Sequence, residues 1–149
     1  MLGFKATDDY ARAREALQRT GYTDAGIRQT VGRDQILAMP PTDVPRVLRR
    51  TRALSPLDTL VRLFFLGLPV PQDAARRALR PLPLDGWVQA EVLDPPGPEN
   101  QVTPRVQIWP VCGMMMAVDL PWRQPNSPVA DFVMPPGPVT LELVHAMIH

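Results

Sequence analysis

The sequence predicts an α+β domain that is mostly helical and closes with a two-stranded β-hairpin. Apolar residues recur at helical spacing over residues 57–68, and two shorter helical patterns follow between prolines. After Pro95-Pro96-Gly97-Pro98 the apolar residues alternate as they do in strands. A winged helix has this order, three helices followed by a hairpin. An extended Pro69-Val70 could pair with the hairpin. The fold class is therefore predicted to be winged-helix-like.

Residues 1–54 are predicted to form an N-terminal helical extension. Three short helices are expected there, over about residues 7–21, 23–32 and 33–39. Thr7 suits the N-cap of the first helix, and Gly21 suits its end. Pro40-Pro41 breaks the third helix, and an Arg-rich connection of one or two helical turns then covers residues 43–52.

Residues 55–120 are predicted to form the winged-helix-like domain. Ser55 suits an N-cap, Pro56 the first helical position and Asp58 the third, which together are typical of a helix start. The buried face of this helix is supplied by Leu57, Leu60, Val61, Phe64, Phe65 and Leu68, and Gly67 ends it. The second helix runs from Pro71 to Pro81, and the third from about Pro83 to Val92.

The hairpin is predicted from residues 101–109 and 114–120. Val102, Val106 and Ile108 are candidates for one face of its first strand, and Pro104 makes that strand an edge strand. Met114-Met115-Met116 at strand spacing predicts core residues with one exposed methionine.

Residues 121–149 predict a linker and a first helix that lead into a further domain. Asp131 to Met134 is typical of a short strand, and an amphipathic helix follows a Pro/Gly turn. Its apolar stripe comprises Val139, Leu141, Leu143, Val144, Met147 and Ile148. Such a stripe needs a partner, so we expect either the missing C-terminal domain or a dimer contact through this helix. Residues beyond about Pro135 are expected to be loosely held without one.

Charge and composition exclude several classes of protein. Fifteen of the sixteen basic residues are arginine, and the net charge of +1 gives the chain no overall excess for binding polyanions. The single cysteine, Cys112, excludes an intramolecular disulfide and a cysteine-based metal site. No signal-peptide pattern opens the chain, and its longest apolar run, Leu63 to Val70, is too short to span a membrane. These features predict a cytoplasmic protein without a membrane partner.

Two arginine clusters are the candidate site residues. Arg46, Arg49, Arg50 and Arg52 form the first, and Arg76, Arg77 and Arg80 on the second helix form the other. Either cluster could contact phosphates without sequence specificity, but a solvated surface is the favoured explanation of both, for the first as a connector beside an acidic partner surface. The predicted third helix offers Asp85, Gln89 and Glu91 but no cation, which argues against readout of DNA bases.

No catalytic, cofactor or metal site can be assembled from these residues. His145 and His149 have the i, i+4 spacing of metal ligands, but no third ligand accompanies them. Cys112 lacks a neighbouring basic group that would activate its thiol. There is neither a glycine-rich phosphate loop nor a nucleophile elbow.

The segment from Ser55 to Val70 resembles the signature helix of an accessory N-terminal domain. That domain precedes a class I S-adenosylmethionine-dependent methyltransferase domain in a bacterial family. Gly21-Tyr22-Thr23 is similar to the early turn of that domain, and Val118-Asp119-Leu120 is similar to the end of its hairpin. Asp131 to Met134, followed by Gly137, Thr140 and Leu141, is similar to its joint with the catalytic domain and to the entry of release-factor glutamine methyltransferases. At that joint this chain has Pro135-Pro136-Gly137 where family members tend to have Gly-Val-Gly or Gly-Ile-Gly.

The resemblance implies an accessory, substrate-orienting domain without the active site. S-adenosylmethionine would bind to a glycine-rich loop beyond His149, and the methyl acceptor would be a protein glutamine, an RNA or DNA base, or a small molecule. This stretch alone is expected to be inactive, as a chain truncated before its cofactor loop. The alternatives are a free-standing winged-helix module that binds nucleic acid, and a protein-interaction domain that dimerises through its terminal helix.

Overall fold

The computed structural model describes residues 3–4, 6–34, 41–111 and 113–120. These residues form an α+β fold that is about half helical, with two small antiparallel sheets of two strands each. The helices are α1 Thr7–Thr20, α2 Asp24–Val31, α3 Val44–Arg50, α4 Pro56–Leu60, α5 Gln72–Leu79 and α6 Leu84–Gln89. The strands are β1 Val70–Pro71, β2 Gln101–Val102, β3 Val106–Val111 and β4 Met114–Asp119.

The N-terminal helices begin and end close to the predicted positions. Gly21 ends α1 with a φ of 80°, a left-handed conformation that glycine adopts without strain. The hydroxyl oxygen of Thr23 caps α2 by accepting a hydrogen bond from the Gly26 amide over 3.1 Å. Thr7 was expected to cap α1, but it is the first helical residue, and Ala6 precedes it without a side-chain cap. The predicted helix over residues 33–39 lies mostly outside the described residues.

The helix that begins at Pro56 is the centre of the fold. Ser55 and Asp58 form a complete capping box, as predicted: the Ser55 hydroxyl accepts from the Asp58 amide over 3.1 Å, and the Asp58 carboxylate accepts from the Ser55 amide over 3.4 Å. After Leu60 the helix widens into a π-helical turn, Val61–Phe65. Four of its five residues are buried, namely Val61, Leu63, Phe64 and Phe65, as expected for a central helix.

The aromatic residues of this π-helical turn contact aromatic side chains that precede and follow it in the chain. The Phe64 ring lies 6.3 Å from that of Tyr22 and 5.7 Å from that of Trp87, between centroids. The Phe65 ring lies 5.2 Å from that of Trp109 in β3. A single apolar cluster consequently extends from Ala13 in α1 to Val118 in β4. The sequence did not predict the widened turn, because its residues have ordinary helical spacing.

The second and third helices follow at the predicted places. Ala74, Ala75, Ala78 and Leu79 of α5 are buried, as expected. Helix α6 is shorter than predicted and ends at Gln89. Its Trp87 is buried and donates a hydrogen bond from Nε1 to the carbonyl oxygen of Leu79 over 3.3 Å, which fixes α6 against α5.

The predicted hairpin is confirmed, but its first strand differs from the prediction. The predicted strand over residues 101–109 is divided in two, because Thr103 to Arg105 bond residues 92–94 instead, with Pro104 opposite Leu93. Strand β2 pairs antiparallel with β1, Val70 opposite Val102, as the extended Pro69-Val70 suggested. Strand β3 pairs antiparallel with β4, from Val106 opposite Asp119 to Val111 opposite Met114. All six residues of β3 are buried rather than alternating. Besides β4, strand β3 contacts the π-helical turn and α2.

Candidate functional site

The first arginine cluster lies on α3 and the turn after it. Arg46 forms an ion pair with Asp43, with Nη2 to Oδ2 at 3.4 Å. Arg33 also bonds the Asp43 carboxylate, and this hydrogen bond, with the charge of both arginines, holds the pKa of Asp43 below its ordinary value. The charge of Arg46 is therefore paired with a carboxylate of the same domain.

Arg50 is a structural residue. Its guanidinium donates to the carbonyl oxygens of Thr30 over 2.8 Å and Gln29 over 3.1 Å, at the C-terminal end of α2. A cation at this helix end interacts favourably with the unpaired carbonyls and the helix dipole. A side chain at Gly32 would lie 3.1 Å from the Arg50 guanidinium carbon, so glycine leaves room for this contact.

Arg49 and Arg52 are exposed, and neither forms an ion pair with a described carboxylate. Arg50 is exposed as well, but its guanidinium bonds the two carbonyl oxygens of α2. Arg62, in the π-helical turn, also has its guanidinium engaged within the domain. It donates to the Thr51 hydroxyl over 2.8 Å and to the Leu48 carbonyl over 2.7 Å, linking the π-helical turn to α3. In the first cluster, Arg46 and Arg50 are thus structural, whereas Arg49 and Arg52 face solvent.

The second cluster lies along the outer face of α5. Arg76, Arg77 and Arg80 are exposed there, opposite the buried alanine face. None of the three forms an ion pair within the part of the chain that the structure describes. Arg76 and Arg80 also line an open cavity of about 620 Å³ together with residues 81–85.

Arg19 of α1 joins this second cluster. Its Nη2 donates to the carbonyl oxygens of Arg77 over 3.2 Å and Arg80 over 3.0 Å. The contact spans about sixty residues, so no local sequence signal could have identified Arg19. It fixes the end of α1 against the end of α5 and raises the positive charge there.

The third helix lacks cations, as its sequence indicated. Helix α6 exposes Asp85 and Gln89, and it buries Leu84 and Trp87. Carboxylates facing phosphates are repelled, so α6 does not have the side chains of a base-reading helix. Arg105, directly before β3, forms an ion pair with Asp94, with Nε to Oδ1 at 3.8 Å.

The remaining candidate residues divide between the described and the undescribed parts of the chain. Cys112, His145 and His149 lie outside the described residues. Among the described residues there is no group of three or more side chains that could hold a metal ion. The helices within that part include none long and apolar enough to cross a membrane.

The methionine run departs from its prediction. Met114 is 52% exposed and Met115 is 38% exposed, whereas one exposed methionine was expected. Strand alternation predicts opposite exposures for neighbours, but β4 is paired along one edge alone within the described residues. Met114 and Met115 are the first two residues of β4, next to the turn at Gly113.

The fold and its surface define a small α+β domain with arginines exposed on two helices and an apolar strand edge. The chain belongs to the family described as domain of unknown function DUF7059, which matches residues 11–105. The matched region begins inside α1 and ends just before β3. No curated protein and no solved structure matches the chain.

Proposed function

We propose that this chain is the accessory, winged-helix-like domain that precedes the catalytic domain of an S-adenosylmethionine-dependent methyltransferase. Its role is to orient the methyl acceptor, and the cofactor binds beyond His149. The observation that carries the proposal is the segment Ser55 to Val70, which bears the resemblance to such accessory domains. It forms the capped, buried centre of the fold, with Phe64 and Phe65 in contact with both halves of the chain.

The order of the elements supports the winged-helix-like assignment. Helix α4 with its π-helical turn, strand β1, helices α5 and α6, and then the hairpin β3–β4 follow one another as in a winged helix. Strand β1 lies between the first two helices and pairs with β2, just before the hairpin. The cation-free α6 favours a role in protein–protein or substrate contact over base readout.

Cofactor binding tests this proposal. The protein encoded by the complete gene and the chain of residues 1–149 are each titrated with S-adenosylmethionine by calorimetry. We expect binding by the complete protein, because the resemblance places a glycine-rich loop and helix N-terminus after His149. We expect no micromolar binding by residues 1–149.

Two results would contradict the proposal. One is stoichiometric, micromolar binding of the cofactor by residues 1–149. The other is a complete gene product that neither encodes a strand, glycine-rich loop and helix after His149 nor binds the cofactor. The matched control is the Phe64→Ala variant of the complete protein, titrated with S-adenosylmethionine at a temperature where the variant remains folded. This control separates cofactor binding from the stability of the accessory domain.

A free-standing nucleic-acid-binding module is the second candidate, and the exposed arginines favour it. Arg49, Arg52, Arg76 and Arg77 are solvent-facing and form no ion pair with a described carboxylate. Phosphate contacts of this kind give binding that weakens steeply with salt and is insensitive to sequence.

Anisotropy titrations with labelled duplex and single-stranded oligonucleotides test this candidate. If α5 contacts phosphates, the double variant Arg76→Ser with Arg77→Ser binds more weakly than the unmodified chain. The slope of log affinity against log salt concentration also becomes shallower, by about one for each lost contact. The matched control is Arg12→Ser, because Arg12 is also a helical surface arginine but lies next to Asp9. A footprint on a defined site that survives about 200 mM salt would contradict the argument that α6 cannot read bases.

A further inference from the structure

Strand β4 has an open edge within the described residues. Its partner β3 lies along one side, and no other described strand pairs with it. The outer edge of β3 is covered, because the carbonyl oxygen of Ile108 accepts a hydrogen bond from the Tyr22 hydroxyl. Residues 114–118 of β4 carry no charge and no proline. An apolar edge without such protection readily accepts another strand.

The register of the hairpin identifies the backbone groups at this edge. Pro110 lies opposite Met115, and proline has no N–H to donate. Antiparallel pairs alternate between hydrogen-bonded and non-hydrogen-bonded ones, so Pro110 and Met115 form a non-hydrogen-bonded pair. By the same alternation, the N–H and C=O groups of Met115 and Ala117 point away from β3. The outward carbonyl of Ile108, opposite Ala117, agrees with this assignment.

An apolar groove lies next to the same edge. The exposed large apolar residues of the described chain are Tyr10, Met114 and Met115, and all three line one cavity of about 570 Å³. Trp87 and Ile108 contribute buried surface to it. Unbranched methionines adapt to an incoming apolar side chain, which suits the groove to a partner segment.

We propose that Asp131–Met134 of the same chain adds to β4 as a third, antiparallel strand, with an apolar side chain of the segment entering the groove. The segment was predicted as a short strand from its sequence, Asp-Phe-Val-Met. Ten residues, 121–130, separate it from Leu120, where the chain leaves β4. A loop of that length allows the chain to reverse and run back along β4 towards Met115.

The tether favours this segment over a second copy of the chain. A short connection gives its own segment an effective concentration of about millimolar, whereas a second copy is present at roughly the micromolar protein concentration. An edge-to-edge dimer would need an affinity roughly a thousandfold higher to compete at that concentration. The inference does not depend on the proposed methyltransferase role.

Amide exchange of the full chain, followed by NMR, tests the third strand. We expect the Met115 and Ala117 amides to be protected in residues 1–149, because both would donate to the added strand. Val133→Pro removes a donor and the strand conformation from the segment. It is expected to accelerate exchange at Met115 and Ala117 by about tenfold or more, while the core amides of β3 remain protected.

A proline in the preceding loop is the matched control. Asn126→Pro lies in the same tail but outside the proposed strand, so it is expected to leave the Met115 and Ala117 amides protected. Fast exchange at both amides in the unmodified chain would overturn the proposal. Protection that is unaffected by Val133→Pro, or that appears as the protein concentration rises, would also overturn it, the latter in favour of a dimer.

Disulfide trapping gives an independent readout. In a Cys112→Ser background, Ala117→Cys is combined in turn with Phe132→Cys, Val133→Cys and Met134→Cys. Adjacent strands bring Cα atoms within the 4.4–6.8 Å range that a disulfide requires. We expect at least one of these pairs to form an intrachain bond in a monomer under mild oxidation. Bonds that form exclusively between two chains, or no bond in any pair, would contradict the proposal.

Discussion

The Tyr22 hydroxyl donates a hydrogen bond to the carbonyl oxygen of Ile108 over 2.6 Å, joining residues 86 positions apart. The Tyr22 ring is fully buried and meets Phe64 edge to face. This bond satisfies the outward carbonyl of β3, which water cannot reach. It therefore connects the turn before α2 to the hairpin through the centre of the fold.

Replacing Tyr22 by phenylalanine is expected to destabilise the domain by about 1–3 kcal/mol, because the buried carbonyl of Ile108 loses its donor. Chemical denaturation monitored by circular dichroism measures the free energy of unfolding. The matched control is Tyr10→Phe, since Tyr10 is 64% exposed and should change stability by less than about 0.5 kcal/mol. Equal effects of the two substitutions would show that the bond to Ile108 contributes nothing.

Alkaline pH should destabilise the domain through the same residue. Burial raises the pKa of Tyr22 well above its ordinary value. Above a pH of about 10, an unfolded tyrosine loses its proton while the folded one keeps it, so the unfolded state binds fewer protons and stability falls as pH rises.

The expected measurement is the difference in unfolding free energy between the unmodified chain and Tyr22→Phe, followed from pH 8 to pH 11. The difference should be constant below about pH 9.5 and should shrink above about pH 10, because phenylalanine does not titrate. A difference that stays constant throughout would mean that Tyr22 ionises as easily in the folded state as in the unfolded one.

Ser55→Ala should cost about 1 kcal/mol, because the Asp58 amide at the start of α4 loses its acceptor. Thr7→Ala is the matched control. Thr7 also stands at the start of a helix, but it is exposed and within α1, so its loss should change stability by less than about 0.5 kcal/mol. Thermal and chemical unfolding of both variants check this. A larger effect at Thr7 than at Ser55 would contradict the cap assignments.

Local signals in the sequence predicted the helices and the hairpin, and long-range contacts could not be predicted. The Ser55–Asp58 box and the glycine at position 21 act within one helical turn, so their residue types are sufficient to place them. The bond from Tyr22 to Ile108 and the contact of Arg19 with α5 join distant segments, and nothing in the neighbouring residues indicates the partner.

The candidate site shows the same division. The sequence identified the arginines of α3 and α5, but it did not distinguish those that face solvent from those that stabilise the fold. Arg49 and Arg50 are adjacent in the sequence, yet Arg50 bonds the end of α2 while Arg49 faces solvent. Helix periodicity fixes which side chains share a face, whereas tertiary packing decides what that face contacts.

Phe64→Ala should destabilise the domain by about 3–5 kcal/mol, as a large-to-small change in a packed core. Phe64 is fully buried between Tyr22 and Trp87. The comparison variant is Leu141→Ser with Val144→Ser, which removes apolar side chains from the predicted C-terminal stripe. If that stripe packs on a partner rather than on this domain, the double substitution leaves the melting temperature of the monomer almost unchanged. Scanning calorimetry, with sedimentation to confirm the monomer, measures both effects. A monomer that the double substitution destabilises as strongly as Phe64→Ala would show that the predicted stripe packs on this domain, and would contradict the expectation that it packs on a partner.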